Sequence, residues 1–118
     1  DFPAAQLMLG SVQEQMGNHQ AAQETYRSID AESSLWVKAQ LRAAFNLDRV
    51  GDTEGALKQL ATLSRSMPDR YDPWLTKGDI LRGHKQFGEA IQAYNEAVAR
   101  LKNVEKHHWP IFYVRGIA

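Results

Sequence analysis

The run Trp74-Leu75-Thr76-Lys77-Gly78-Asp79-Ile80-Leu81, resumed at Phe87-Gly88-Glu89-Ala90-Ile91-Gln92-Ala93-Tyr94-Asn95-Glu96-Ala97, sets small and bulky residues four apart. Residues four apart share one helical face, so Ala90 permits close helix approach and Tyr94 fills the space beside it. Sliding the sequence by 34 residues superposes Gly10 on Ala44 and Gly78, Gly17 on Gly51, Ala22 on Ala56 and Ala90, and Tyr26 on Leu60 and Tyr94. A repeat of that length, small on small and bulky on bulky, is the mark of stacked helical hairpins.

The punctuation agrees. Pro3, Pro73 and Pro110 can each open a first helix, where the missing N–H costs nothing, and Asp72 is placed to cap one of them. Gly17 and Gly51 fall at hairpin turns that call for left-handed backbone, and Asn18 and Asp52 follow as caps of the next helix. Lys85 stands where a third turn glycine is expected, and the register of Phe87 and Ala90 predicts left-handed angles for it. Helices of about 12 to 14 residues with short loops predict an all-α chain, and no window shows strand alternation.

With the residues in view, the chain resembles the tetratricopeptide repeat family, whose signature runs W-x-x-L-G-x-x-Y, then A, then F or Y, then A. The third unit carries it at Trp74, Gly78, Phe87, Ala90, Tyr94 and Ala97. The second carries it at Ala44, Leu47, Gly51, Ala56, Leu60, Leu63 and Pro68, and the first at Leu9, Gly10, Gly17, Ala22 and Tyr26. Gln6, Gln13 and Gln40 depart from it, standing where the signature is apolar. The resemblance implies a right-handed α-solenoid of antiparallel helix hairpins: three units at residues 1–36, 37–70 and 71–108, and the first helix of a truncated fourth at 109–118. Between Trp74 and Phe112 the spacing grows to 38, and the apolar series Ala90, Ile91, Tyr94, Ala97, Val98, Leu101 and Val104 keeps helical period through the insertion. A second helix longer by four residues is therefore expected in unit 3. The resemblance extends to bacterial proteins with many such repeats, of which this chain would be a fragment.

In such arrays the first helices line a concave groove that receives peptides or partner helices. By register that groove would present Leu7, Ser11, Glu14 and Gln15, then Lys38, Leu41, Phe45, Asp48 and Arg49, then Asp72, Leu75, Asp79 and Arg82, and finally Tyr113 and Ile117. Leu7, Leu41, Leu75 and Tyr113 would form an apolar row, a pattern suited to anchoring a helix or extended peptide, although the same leucines also serve to pack neighbouring first helices. Some members grip a partner's terminal carboxylate with paired Lys, Asn and Arg. Here Leu7, Ser11, Arg42, Leu75 and Thr76 occupy those places, so that clamp is not expected.

Other functions find little support. Fourteen Lys and Arg balance fourteen Asp and Glu, so no net field attracts nucleic acid or an acidic membrane. Cysteine is absent, and no GxxxxGK[ST], HExxH or GxSxG occurs. His107 and His108 point about 100° apart on a helix without a third ligand nearby, which suits cations at a helix C-terminus better than a metal site. His19 and His84 flank turns and are expected to be solvated. No apolar run approaches the ~20 residues needed to cross a bilayer. The expectation is thus a non-catalytic scaffold, without cofactor or metal, that binds a protein or peptide in its groove. The alternative is a structural or self-assembly module that oligomerises or positions neighbouring domains. Phe112, Tyr113 and Ile117, with the outer face at Tyr94, Val98 and Leu101, would leave an apolar C-terminal edge through which the chain self-associates. Register also sets Ala56 and Ala90 at tight crossings and Gln23 on a more exposed face.

Overall fold

The computed structural model describes residues 2–108; unit 4, with Pro110, Phe112, Tyr113 and Ile117, lies outside the described residues. Among the described residues the chain is all-α, with helices α1 (Pro3–Gln15), α2 (His19–Arg27), α3 (Trp36–Arg49), α4 (Thr53–Ser66), α5 (Asp72–Gly83) and α6 (Phe87–His108). They pair in sequence as hairpins. The chain divides into two compact units, one ending at Leu63 and the other beginning at Ser64, and each is described by itself.

The turn chemistry is as the sequence indicates. Gly17 and Gly51 have φ of 82° and 106°, and Lys85 takes the third left-handed position at φ 62°. A lysine there gives up the freedom that glycine has, about 1 kcal/mol, and keeps the residues after it in register. Asn18 Oδ1 accepts from the Ala21 N–H at 3.3 Å and Asp52 Oδ1 from the Gly55 N–H at 2.9 Å, so both cap as expected. Asp72 does not. It lies inside α5, whose N-cap position is taken by Tyr71 without a side-chain capping bond, and its carboxylate is held by Arg70 at 2.7 and 3.1 Å. An adjacent guanidinium offers a carboxylate two charge-assisted bonds at once, more than a single backbone N–H provides.

Helix lengths depart from 12 to 14 residues at α2 and α6. The nine residues of α2 end at Arg27, where the Ser28 hydroxyl donates to the Thr25 carbonyl at 2.6 Å and Asp30 then accepts from the Glu32 N–H. Short polar side chains that bond nearby backbone compete with the helical ladder in this way. In contrast α6 is 22 residues long, against 14 for α4.

In the first unit the hairpin direction is visible in side-chain contacts. Gln6 Nε2 donates to Ser28 Oγ at 3.0 Å, and Thr25 Oγ1 donates to Gln13 Oε1 at 2.7 Å, so α1 and α2 run antiparallel. Gln59 Nε2 on α4 likewise donates to Gln40 Oε1 on α3 at 3.0 Å. The three glutamines at signature apolar positions thus each bond across a hairpin, which removes the cost of partly burying an amide. The core of this unit is built from Ala22, Tyr26 and Ile29 of α2 and its flank against Ala39 and Ala43 of α3, with Leu7 packed on it. Ala56, Leu60 and Leu63 of α4 are also buried.

Two expectations of exposure fail here. Gln23 is 6% exposed rather than on an open face, and its Oε1 has no hydrogen-bond partner among the described residues. It stands one residue beyond Ala22 and three before Tyr26, at the edge of the stripe that α2 buries. An unpaired buried carbonyl costs about 1–3 kcal/mol. We expect Gln23→Leu, which removes that oxygen at similar volume, to raise stability by about 1 kcal/mol; chemical denaturation measures it, and a loss of comparable size would show that the oxygen is satisfied. His19 is also not simply solvated: its Nδ1 lies 2.7 Å from Oδ1 of the fully buried Asn46, whose Nδ2 donates to the Arg42 carbonyl.

In the second unit α5 and α6 pair through Ile80, Leu81, Ala90, Ala93 and Ala97. Arg100 of α6 lies over the Trp74 ring of α5 at 4.7 Å and donates to the Pro68 carbonyl at 2.7 Å, tying the segment before α5 to the pair. No described helix is long and apolar enough to cross a membrane.

Candidate partner-binding cleft

A cleft of about 460 Å³ opens in the first unit between α1 and α3. Its lining is Leu7, Met8, Ser11, Glu14 and Gln15 of α1, Tyr26 of α2, and Lys38 and Arg42 of α3. Leu7, Ser11 and Glu14 fall on one helical stripe by their spacing, as do Lys38 and Arg42. Hairpin pairing through α2 brings the two stripes face to face.

The floor is an ion pair closed by a phenol. Glu14 accepts from the Arg42 guanidinium through both carboxylate oxygens, and the Tyr26 hydroxyl donates to the same carboxylate at 2.5 Å. Burial pushes the Glu14 carboxyl up, but the bonds from Arg42 and Tyr26 and the guanidinium charge outweigh it and hold the group below its ordinary value. Burial, then the bond to Glu14, pushes the Tyr26 phenol up to about 12. Glu14 and Arg42 therefore stay charged and mutually committed across the neutral range. Lys38, by contrast, is exposed and makes no ion pair among the described residues. The cleft offers an apolar wall at Leu7 and Met8 and one uncommitted cation at its rim.

Of the residues that register assigns to a groove, Leu7, Ser11, Glu14, Gln15 and Lys38 meet in this cleft. Leu41 does not join them: at 8% exposure it is buried, as is Ala44 three residues on along the same helix face. Phe45 is half-buried with the Arg42 and Arg49 guanidiniums over its ring at 4.6 and 6.0 Å. Asp48 accepts from Thr53 Oγ1 at 2.6 Å, across the turn into α4. In the second unit Leu75 stands exposed on α5, while Asp79 accepts from the Tyr94 hydroxyl at 2.6 Å and lies 3.5 Å from Arg82. Tyr113, and the side chains of His107 and His108, lie outside the described residues.

Met8, Tyr26 and Arg42 are the lining residues that register does not assign to the groove. Met8 sits at the edge of the stripe, and Tyr26 reads as packing because its ring is buried; only its hydroxyl reaches the cleft floor. Among the described residues no three His, Asp or Glu side chains converge as metal ligands would.

A family profile described as a tetratricopeptide repeat-like domain matches residues 3–111. A search of curated proteins gives no match. Among solved structures the chain resembles the crystal structure of MamA, with a TM-score of 0.65 at 18% identity, over 88% of this chain and 61% of that one. At that identity the likeness concerns the fold, and this chain spans about three-fifths of the length of the MamA chain.

Proposed function

The chain belongs to the tetratricopeptide repeat-like family, and from that premise we propose that it is a non-catalytic protein-interaction scaffold whose α1–α3 cleft takes a segment of a protein partner. The observation that carries this reading is the cleft itself, where an apolar wall at Leu7 and Met8 adjoins the uncommitted ammonium of Lys38. Met8 is 69% exposed, so covering it on binding releases water at little cost to either partner. Glu14 and Arg42 satisfy each other and shape the floor without competing for a ligand. The segment that fits is a peptide or helix carrying an aliphatic anchor beside a carboxylate, the anchor on Met8 and the carboxylate toward Lys38. On α5, Leu75 with Asp79 and Arg82 remains a candidate contact surface of its own.

A displayed peptide library selected on the chain tests this. Selected peptides should share an aliphatic residue and an acidic residue, and Met8→Asp and Lys38→Glu should each weaken their binding about tenfold or more, as truncating an interface anchor does. Helicity should be unchanged. Binding indifferent to both substitutions would remove the cleft as the site.

A further inference from the structure

Asn46 is completely buried at a register position that the repeat otherwise gives to Val12 and Ile80. Its neighbour His19 shares a register position with Thr53 and Phe87. Packing alone does not call for a polar pair here, since Ile80 is buried at the same register without one. Taking an amide and part of an imidazole out of water carries a desolvation cost that an apolar pair avoids, and such departures from local rules mark groups with a role besides cohesion.

The hydrogen bonds define that role. Asn46 Nδ2 donates at 2.8 Å to the Arg42 carbonyl, an atom that can only accept, so the amide oxygen is turned the other way, toward the His19 ring. Oδ1 lies 2.7 Å from His19 Nδ1, a distance two acceptors cannot share, so Nδ1 carries the proton. The neutral ring is thereby held in one tautomer. The Asn46 amide also bonds the Glu14 carboxylate on the cleft floor: burial pushes that carboxyl up, and the bonds from Arg42, Tyr26 and then Asn46 pull it down. Neither His19 nor Asn46 lines the cleft itself. Without the His19 N–H, Oδ1 would be a buried acceptor beside the donors that Glu14 uses, and it would compete with the carboxylate for them.

We propose that His19 and Asn46 are positioning residues of the cleft: they touch no ligand, and they hold the Glu14–Arg42 floor in the shape that a partner segment meets. This rests on the reading of the cleft as a partner site. His19, at the start of α2, acts through Asn46 of α3 on Glu14 of α1, so one polar chain ties all three helices beneath the cleft.

Substituting His19 tests it, because the third unit carries a phenylalanine, Phe87, at this register. His19→Phe keeps a ring and drops the donor, whereas His19→Asn drops the ring and restores an N–H close to the place of Nδ1. In His19→Phe the fold should persist by circular dichroism. The Glu14 carboxyl, followed by heteronuclear NMR, should titrate at higher pH, and peptides selected on the unaltered chain should bind about threefold or more weakly. His19→Asn should return both values toward those of the unaltered chain. A Glu14 midpoint that stays in place in His19→Phe, or that moves equally in both variants, would overturn the proposal, as would a shifted midpoint with unaltered peptide affinity. The unaltered chain supplies a measurement that no misfolded variant can spoil: the nitrogen shifts of the neutral His19 ring should place its proton on Nδ1, and a proton on Nε2 would sink the proposal. If no peptide is selected at all, the cleft reading fails by itself, and the Glu14 midpoint and the tautomer still decide what His19 holds in place.

Discussion

Replacing Tyr26 by alanine is expected to cost about 3–5 kcal/mol, the loss associated with removing a large ring from a packed core. Three elements meet on this side chain. Its ring lies against Gly10 of α1, its neighbours in the core are Ala39 and Ala43 of α3, and its hydroxyl closes the Glu14–Arg42 pair. Tyr26→Phe keeps the packing and drops only a hydrogen bond to a charged acceptor, worth about 1.5 kcal/mol. The two variants thus separate the ring's contribution from the hydroxyl's. A denaturant midpoint that falls with unchanged slope is the measurement. Equal losses in both variants would mean that the hydroxyl, not the ring, holds the hairpin.

The same residue makes the first unit sensitive to alkali. The folded phenol ionises at about 12 against an ordinary 10.0, because burial and the Glu14 carboxylate oppose the phenolate. Its contribution to stability is complete below pH 10, where the phenol is neutral in both states, and is lost between pH 10 and about 12 as the unfolded chain ionises first. Tyr26→Phe should flatten that part of the stability profile.

The second large effect is expected at Gly10. A Cβ there would lie 2.6 Å from Tyr26 Cε1 and 2.7 Å from Cζ, inside any real carbon contact. The ring is 2% exposed, with α3 alanines in its cluster, so it cannot retreat without opening the core. Gly10→Val should cost about 3 kcal/mol, at the upper end for overpacking. Gly78 makes an equally close approach, 2.5 Å from Tyr94 Cε1, but Tyr94 is only half-buried and can swing out by giving up its bond to Asp79. Gly78→Val should therefore cost nearer 1 kcal/mol. The pair of variants reads, from identical local geometry, how firmly each tyrosine is held. A larger loss at Gly78 than at Gly10 would reverse that ranking.

Most of the candidate cleft's lining is legible in register, and Met8, Tyr26 and Arg42 are not. Leu7, Ser11, Glu14, Gln15 and Lys38 are assigned by counting turns, since each projects from a first helix at a fixed angle from the packing stripe. Leu41 is misplaced by the same counting. One residue in a helix turns by about 100°, and a modest rotation of α3 on its neighbours suffices to carry an edge position from groove into core. The clasp of Tyr26 on Glu14 and Arg42 joins three helices, and its partners stand 12 and 16 residues apart from it along the chain, outside any spacing rule within one helix.

From the sequence alone come the helical hairpins, their turns and the family. Each is a property of a few consecutive residues: a left-handed angle that glycine or Lys85 must adopt, a cap two or three residues long, a small residue four before a large one. Tertiary structure alone decides which polar side chains go inside. Gln23 by its expected face and His19 by its place beside a turn look equally suited to water, yet one is enclosed with its Oε1 unpaired among the described residues and the other is bonded to a buried asparagine. Solvent exposure depends on where a neighbouring helix crosses, and that crossing is set by the summed fit of all the side chains at the contact, which no single residue's identity encodes.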